Sequence, residues 1–356
     1  MMNTVVKTFA PSWPATVMGT AVLPIALGLS SPILPWMKEA AAGFFFLSIA
    51  MLVVITLITA IRVFAYPREI AKEFRHPVAG SFIPTLPIAF IIVALDFLTL
   101  GAPFFGEALS TTIALWLFGL GAAGIWLLGL AVLFSLFAST EVKLPHATFG
   151  WFIPPVSQII IAVGGLELVR HLERGAGADF VYILALAGLG IGSILFLFVG
   201  ANVYHRYLFA ELPGPKMAPT AAIGFAPTAV IVIALAKLAG AQAIPSFAHP
   251  DSSLGGMLGV LGITAWGFSA FGFLLAILVI GRGFKAMRAQ FGLPWWAMTF
   301  PLGAFAVATG ALGKLLGTSL FDPILVGLTV LLLIVWTVVA IGTLRGIGNG
   351  TIFARD

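Results

Sequence analysis

The chain has 356 residues, 60% of them hydrophobic and only 9% charged, with a mean hydropathy of +1.12. A soluble globule of this length needs more polar surface than that, so the composition excludes one and specifies an integral membrane protein. The formal charge of +5 matters less than where the basic residues fall, and the absence of cysteine excludes disulfides and thiolate metal sites.

Residues 1–12 hold a single charge, Lys7, and no small-residue cleavage pattern; they read as a cytoplasmic arm feeding the first span rather than a signal peptide. Apolar windows of about 20 residues, the length that crosses a bilayer, fall at 13–31, 39–65, 78–98, 107–138, 148–169, 179–209, 218–241, 254–281, 295–316 and 323–345. The expectation is an all-α membrane protein of ten transmembrane helices in one domain, 1–356, with 346–356 as a second short cytoplasmic terminus. With both termini inside, the cytoplasmic segments hold 13 of the 18 Lys and Arg, and only Lys38, Arg170, Arg174, Lys237 and Lys314 fall outside. The positive-inside rule therefore predicts a multi-pass protein of the plasma (inner) membrane in this orientation.

A repeat is visible in the prolines. Pro14 and Pro24, Pro77 and Pro87, and Pro145 and Pro155 are each ten apart at the start of an odd-numbered span, and Pro227 and Pro301 continue the series. The intervals from Pro24 through Pro87, Pro155 and Pro227 to Pro301 are 63, 68, 72 and 74 residues, about one helical hairpin with its loops. Five hairpins cannot pair off into two inverted halves but can close a ring, in a quasi-five-fold arrangement. Proline inside a helix removes a donor and crowds the carbonyl four residues back, freeing polar backbone that lipid cannot satisfy. Helices kinked at these five prolines therefore belong inside, around a central pore, and the smoother even spans suit a lipid-facing shell. Small residues of the odd spans, Gly19, Thr20 and Gly303 among them, either leave room for a lumen or permit close helix contact. The glycines at 188–192 and 255–259 in even spans read as helix-packing or oligomer contacts.

Four phenylalanines precede these prolines: Phe82 before Pro84, Phe152 before Pro154, Phe225 before Pro227 and Phe300 before Pro301. Such rings at one depth either form a hydrophobic constriction or simply pack the kinks. Asp96, Glu167, Lys237 and Lys314 fall near the outer ends of odd spans, and the histidines, His249 included, lie in loops or at span ends. That leaves no proton relay at mid-depth and counts against a cation route. Lys237 and Lys314 would sit near the outer mouth, where they either attract anions or snorkel to the interface. The glycine pattern at 119, 121 and 124 lies inside an apolar span and is no dinucleotide site, and no enzyme, metal, cofactor or nucleic-acid signature is present.

The segment Trp295-Trp296-Ala297-Met298-Thr299-Phe300-Pro301-Leu302-Gly303 resembles the ninth-span motif of the voltage-dependent anion channel superfamily. That family includes the bacterial tellurite-resistance protein TehA, the plant slow anion channel (SLAC), fungal malate permeases and sulfite exporters. Pro11-Ser12-Trp13 with Met18-Gly19-Thr20 is similar to its first span, and Phe74-Arg75-His76-Pro77 with Ser81-Phe82 to the start of its third. The resemblance implies odd helices around a pore, a homotrimer with one pore per protomer, and Phe300 as the occluding residue. The resulting expectation is a channel passing small monovalent anions such as chloride or nitrate, with no cofactor. A secondary transporter for C4-dicarboxylates such as malate, or for sulfite or tellurite-related efflux, is the alternative.

Overall fold

The computed structural model describes residues 2–241, 245 and 252–353; His249 and Arg355 lie outside the described residues. Helices dominate, and no strand occurs among the described residues. Nine helical stretches in this set are long and apolar enough to cross a membrane, and Pro14–Ser30 is a further apolar helix of 17 residues. The principal helices are α1 (Pro14–Ser30), α2 (Met37–Ala65), α3 (Thr85–Leu100), α4 (Glu107–Ala138), α5 (Ile153–Leu168), α6 (Ala176–Phe209), α7 (Ala226–Ala241), α8 (Ser252–Arg282), α9 (Thr299–Leu316) and α10 (Asp322–Gly348). Each fills its own backbone hydrogen bonds, which is what a lipid environment demands of a spanning segment. The hairpin turns are set locally: α9 stops at Gly317, whose φ of +64° lets its N–H reach back to the Gly313 and Lys314 carbonyls.

The helices form two shells. α1, α3, α5, α7 and α9 contact one another in a closed cycle, and each also packs against the helix that follows it in sequence, α2, α4, α6, α8 or α10. Between 67% and 94% of the most apolar window is buried in the four stretches containing α3, α5, α7 and α9, against 17–33% in α2, α4, α6, α8 and α10. α1 belongs with the first group, with 13 of its 17 residues buried. The outer helices expose large apolar side chains such as Phe64, Trp116, Phe137 and Phe198, a coat suited to acyl chains rather than water.

The prolines do something different from what the sequence predicts. Of Pro24, Pro87, Pro155, Pro227 and Pro301, only Pro24 stands within an established α-helix. Pro87, Pro155 and Pro301 are the third residues, and Pro227 the second, of α3, α5, α9 and α7, and each of these helices continues a 3-10 segment: Ala79–Phe82, Phe149–Phe152, Leu293–Met298 and Pro215–Phe225. In the first turn of an α-helix a residue has no intrahelical acceptor for its N–H, so proline is accommodated without loss. The N–H groups of Ile83, Ile153, Ala226 and Thr299 instead donate to carbonyls three residues back, in the tighter pattern. The backbone at these four junctions is therefore bonded rather than freed.

Small residues hold each hairpin together. A Cβ on Gly188 or Gly192 of α6 would come within 2.6 Å of the Gln158 or Pro155 carbonyl oxygen of α5, and one on Gly121 of α4 within 2.8 Å of the Pro87 carbonyl. These glycines serve contact within the chain, whereas Gly255 and Gly256 face open space. Hydroxyls add to the seams: Trp336 Nε1 donates to Thr20 Oγ1 at 3.0 Å, Trp266 Nε1 to Thr309 Oγ1 at 3.0 Å, and Thr228 and Ser269 share a hydrogen bond of 2.7 Å.

Candidate functional site: two cavities on the axis of the helical ring

Because each inner helix is followed by an outer helix that returns the chain, the five inner helices run in the same direction. Their C-terminal halves enclose one cavity and their first turns another. The wide cavity, about 500 Å³, is walled by Val22 and Leu29 of α1, Ile92 and Thr99 of α3, Ile160 and Glu167 of α5, Val230 and Lys237 of α7, and Val307 and Lys314 of α9. The narrow one, about 40 Å³, is bordered by Met18, Ile88, Val156, Ala226 and Pro301, one from each inner helix. Forty cubic ångströms holds at most a water or two, so the axis is effectively shut there.

Phe300 lies on the wall of both cavities, and among the described residues no other side chain does. It is the second residue of α9, where the 3-10 segment Leu293–Met298 passes into the α-helix, and it is 7% exposed. It has no aromatic ring partner among the described residues. The other three proline-linked phenylalanines differ. Phe82 borders the narrow cavity only. Phe152 is fully buried away from the axis, against Phe149 and Phe196 of α6, and Phe225 packs edge-on to Phe273 of α8 and Phe305 of α9.

The small residues expected at the lumen also face neighbours. A Cβ on Gly19 would approach Thr299 Cβ to 2.8 Å, and one on Gly303 would approach Val22 Cβ to 3.0 Å, so the two glycines allow α1 and α9 to touch. Thr20 is fully buried and accepts the Trp336 indole N–H, which turns it toward α10 and away from the axis. A residue with little or no side chain marks close packing here because the ring is sealed by direct helix contact.

The ionisable groups of the wide cavity gather at one end. Lys237 Nζ meets Glu167 Oε2 at 2.5 Å, Arg170 Nη1 stands 3.6 Å from the same oxygen, and His171 Nε2 is 3.7 Å from Oε1. Lys314, on α9 beside α7, is exposed and has no ion partner among the described residues. Asp96 is fully buried on neither cavity; Ser48 Oγ of α2 donates to its Oδ2 at 3.2 Å. No group of acidic or imidazole side chains suited to a metal occurs among the described residues.

The sequence singled out Lys237 and Lys314 but not the Glu167–Lys237 pair or the place of Arg170 beside it. A signal was present: Glu167, Lys237 and Lys314 stand 12, 10 and 13 residues after Pro155, Pro227 and Pro301, so the repeat register itself puts them at one height. Chemically, the arrangement is a mainly apolar cavity, with one aromatic side chain on the wall it shares with the narrow cavity and a mainly cationic rim at the far end. It offers no chain of proton carriers along its walls.

The family model of the voltage-dependent anion channel matches residues 8–344. The chain is 30% identical over 352 residues to an uncharacterized transporter of Methanocaldococcus jannaschii, covering 99% of this chain and 98% of that protein. It is 23% identical to a sulfite efflux pump of Trichophyton rubrum, over 94% of this chain and 89% of the pump, and 24% identical to a malic acid transport protein of Schizosaccharomyces pombe, over 73% and 60%. A match over nearly the whole length, on a helical ring whose axis is walled by apolar side chains and rimmed by cations, assigns this protein to the voltage-dependent anion channel family.

Proposed function

We propose that small anions, chloride and nitrate among them, cross this protein passively along the axis of the ring, and that Phe300 is the side chain that occludes it. The observation that carries the reading is that, among the described residues, Phe300 alone borders both cavities. A phenyl ring beside a cavity of only about 40 Å³ would exclude ions by dewetting, with no charge needed at the constriction. The protein would sit in the plasma membrane with both termini cytoplasmic, three copies assembling with one route each.

The test is anion flux through proteoliposomes containing wild type or Phe300→Ala. The variant is expected to conduct several-fold to many-fold faster under a chloride or nitrate gradient. Unchanged flux in a variant that elutes and melts like wild type would remove Phe300 from this role. A second reading, export of sulfite or a C4-dicarboxylate, is supported by the names of the fungal relatives. A reversal potential that moves with the proton gradient would favour a coupled carrier, and one that follows the anion gradient alone a channel.

A further inference from the structure

α4 and α6 both pack on α5 and leave a furrow between them on the outer side of the molecule. It holds a cavity of about 550 Å³, walled by Leu130 and Leu133 of α4 and Leu195 and Val199 of α6, with Pro155 of α5 as its floor. The cavity shares no wall residue with either axial cavity. Leu130, Phe137 and Phe198 on its wall are exposed, so in a bilayer the furrow opens sideways onto acyl chains rather than onto water.

Two side chains of this wall carry polar atoms that nothing satisfies. Trp126 Nε1, a donor, and Gln158 Oε1, an acceptor, are buried without a hydrogen bond. Gln158 is 7% exposed, and a Cβ on Gly129 of α4 would stand 3.3 Å from its amide nitrogen, so the side chain reaches from α5 to α4 beside the furrow. The other polar side chains of the wall are satisfied: Ser81 Oγ donates to the Val78 carbonyl, Trp151 Nε1 to that of Pro77 and Asn202 Nδ2 to that of Phe198. Both orphaned groups lie near mid-depth, Gln158 as the tenth of the 23 residues of Phe149–His171 and Trp126 as the twentieth of the 32 of Glu107–Ala138. At that depth neither bulk water nor phospholipid headgroups are at hand, and an acyl chain offers no donor or acceptor. A cavity with walls this apolar holds hydrocarbon rather than a water cluster.

We propose that the furrow binds a membrane-dissolved amphiphile with an apolar body and a neutral hydroxyl head, of the class of long-chain and isoprenoid alcohols. A hydroxyl is the smallest group that both accepts from the Trp126 indole and donates to the Gln158 amide oxygen, while the apolar body fills the space between α4 and α6. The two atoms lie just beneath the cavity surface, and the soft terminal torsion of Gln158 turns its oxygen outward. A charged head does not suit the site, because no ionisable side chain stands on its wall. α5 carries Gln158 between Val156, on the narrow axial cavity, and Ile160, on the wide one, so an occupant rests on a helix whose other faces wall the axis.

The experiment uses the full chain in phosphatidylcholine nanodiscs and a photoreactive probe, 1-dodecanol bearing a diazirine, with diazirine-bearing dodecane as its apolar counterpart. Mass spectrometry maps the labelled residues. The alcohol is expected to label residues 126–137 and 191–202 several-fold more than α2 or α10, and unmodified 1-dodecanol, but not dodecane, is expected to compete. Trp126→Phe and Gln158→Leu each remove one hydrogen-bonding group and keep most of the volume, so each should weaken that competition about 3- to 10-fold. The two together should leave the alcohol no better than the alkane. Labelling spread evenly over the outer helices, or equal competition by dodecane and 1-dodecanol in wild type, would overturn the inference, and neither measurement needs a variant that folds. If the alcohol does not label the furrow and Trp126→Phe changes the number of copies that elute together, the furrow is a contact between copies and the inference fails. Anion flux is not read, so the result stands or falls apart from the role of Phe300.

Discussion

The two ends of the ring are made by the same five helices, yet one is a narrow waist of about 40 Å³ and the other a cavity of about 500 Å³ rimmed by four ionisable side chains. The difference originates in local backbone form. At the narrow end four of the five inner stretches are wound as 3-10 turns before they become α-helices, and bulky residues such as Met18, Ile88 and Phe300 converge there. At the wide end the helices are α-helical apart from the 3-10 turn Val169–His171 that ends α5, and the wall includes Ala236, Ala304 and Ala311. On the proposed route, closure would be a matter of packing at one end and attraction a matter of charge at the other. Each can be altered without the other.

Phe300→Ala attacks the packing end and carries the largest expected effect: flux rises by about tenfold or more if the ring alone holds the waist shut, since each factor of ten is only about 1.4 kcal/mol of barrier. The comparison breaks if Phe152→Ala or Phe225→Ala does the same. Those two fill seams between helices, so they should instead cost about 3 kcal/mol or more of stability, read as a lowered melting temperature, and leave anion flux at its wild-type level. Next in size, Gly192→Leu forces a side chain against the Pro155 carbonyl and should destabilise the α5–α6 hairpin by about 1–3 kcal/mol without opening the axis. Thr20→Val is the mildest. It removes the acceptor of the Trp336 indole and should cost about 1 kcal/mol, with no change in anion preference, because Thr20 faces the outer shell. A change in selectivity in that variant would mean that Thr20 reaches the axis in the conducting state.

Much of this was legible in the chain. The apolar windows at 39–65, 107–138, 179–209 and 323–345 lie within a few residues of α2, α4, α6 and α10, because nothing but lipid-compatible side chains interrupts them. The two shells were also legible, through the alternation of proline-bearing and smooth spans. The prolines pointed to the right helices for a reason that needs correcting. Pro87, Pro155, Pro227 and Pro301 mark starts of α-helix inside a longer span, and a sequence pattern does not distinguish a kink from a change of helical type. Glycine and threonine were ambiguous for a related reason: Gly19 and Gly303 leave no room for a Cβ against Thr299 and Val22, Thr20 accepts from Trp336, and only the rotation of each helix about its axis decides between a lumen and a seam.

Composition and period by themselves determined that the chain is a membrane protein, where its helices run and which five are inside, since those follow from backbone satisfaction in lipid and from the spacing of prolines. The tertiary structure decided which of four equivalent-looking phenylalanines stands between the two cavities and which charges share a mouth. Those are facts about residues up to 147 positions apart, as Glu167 and Lys314 are, brought to one surface by the closing of the ring. No local signal specifies the rotation of five helices about a common axis; the fit of their side chains does.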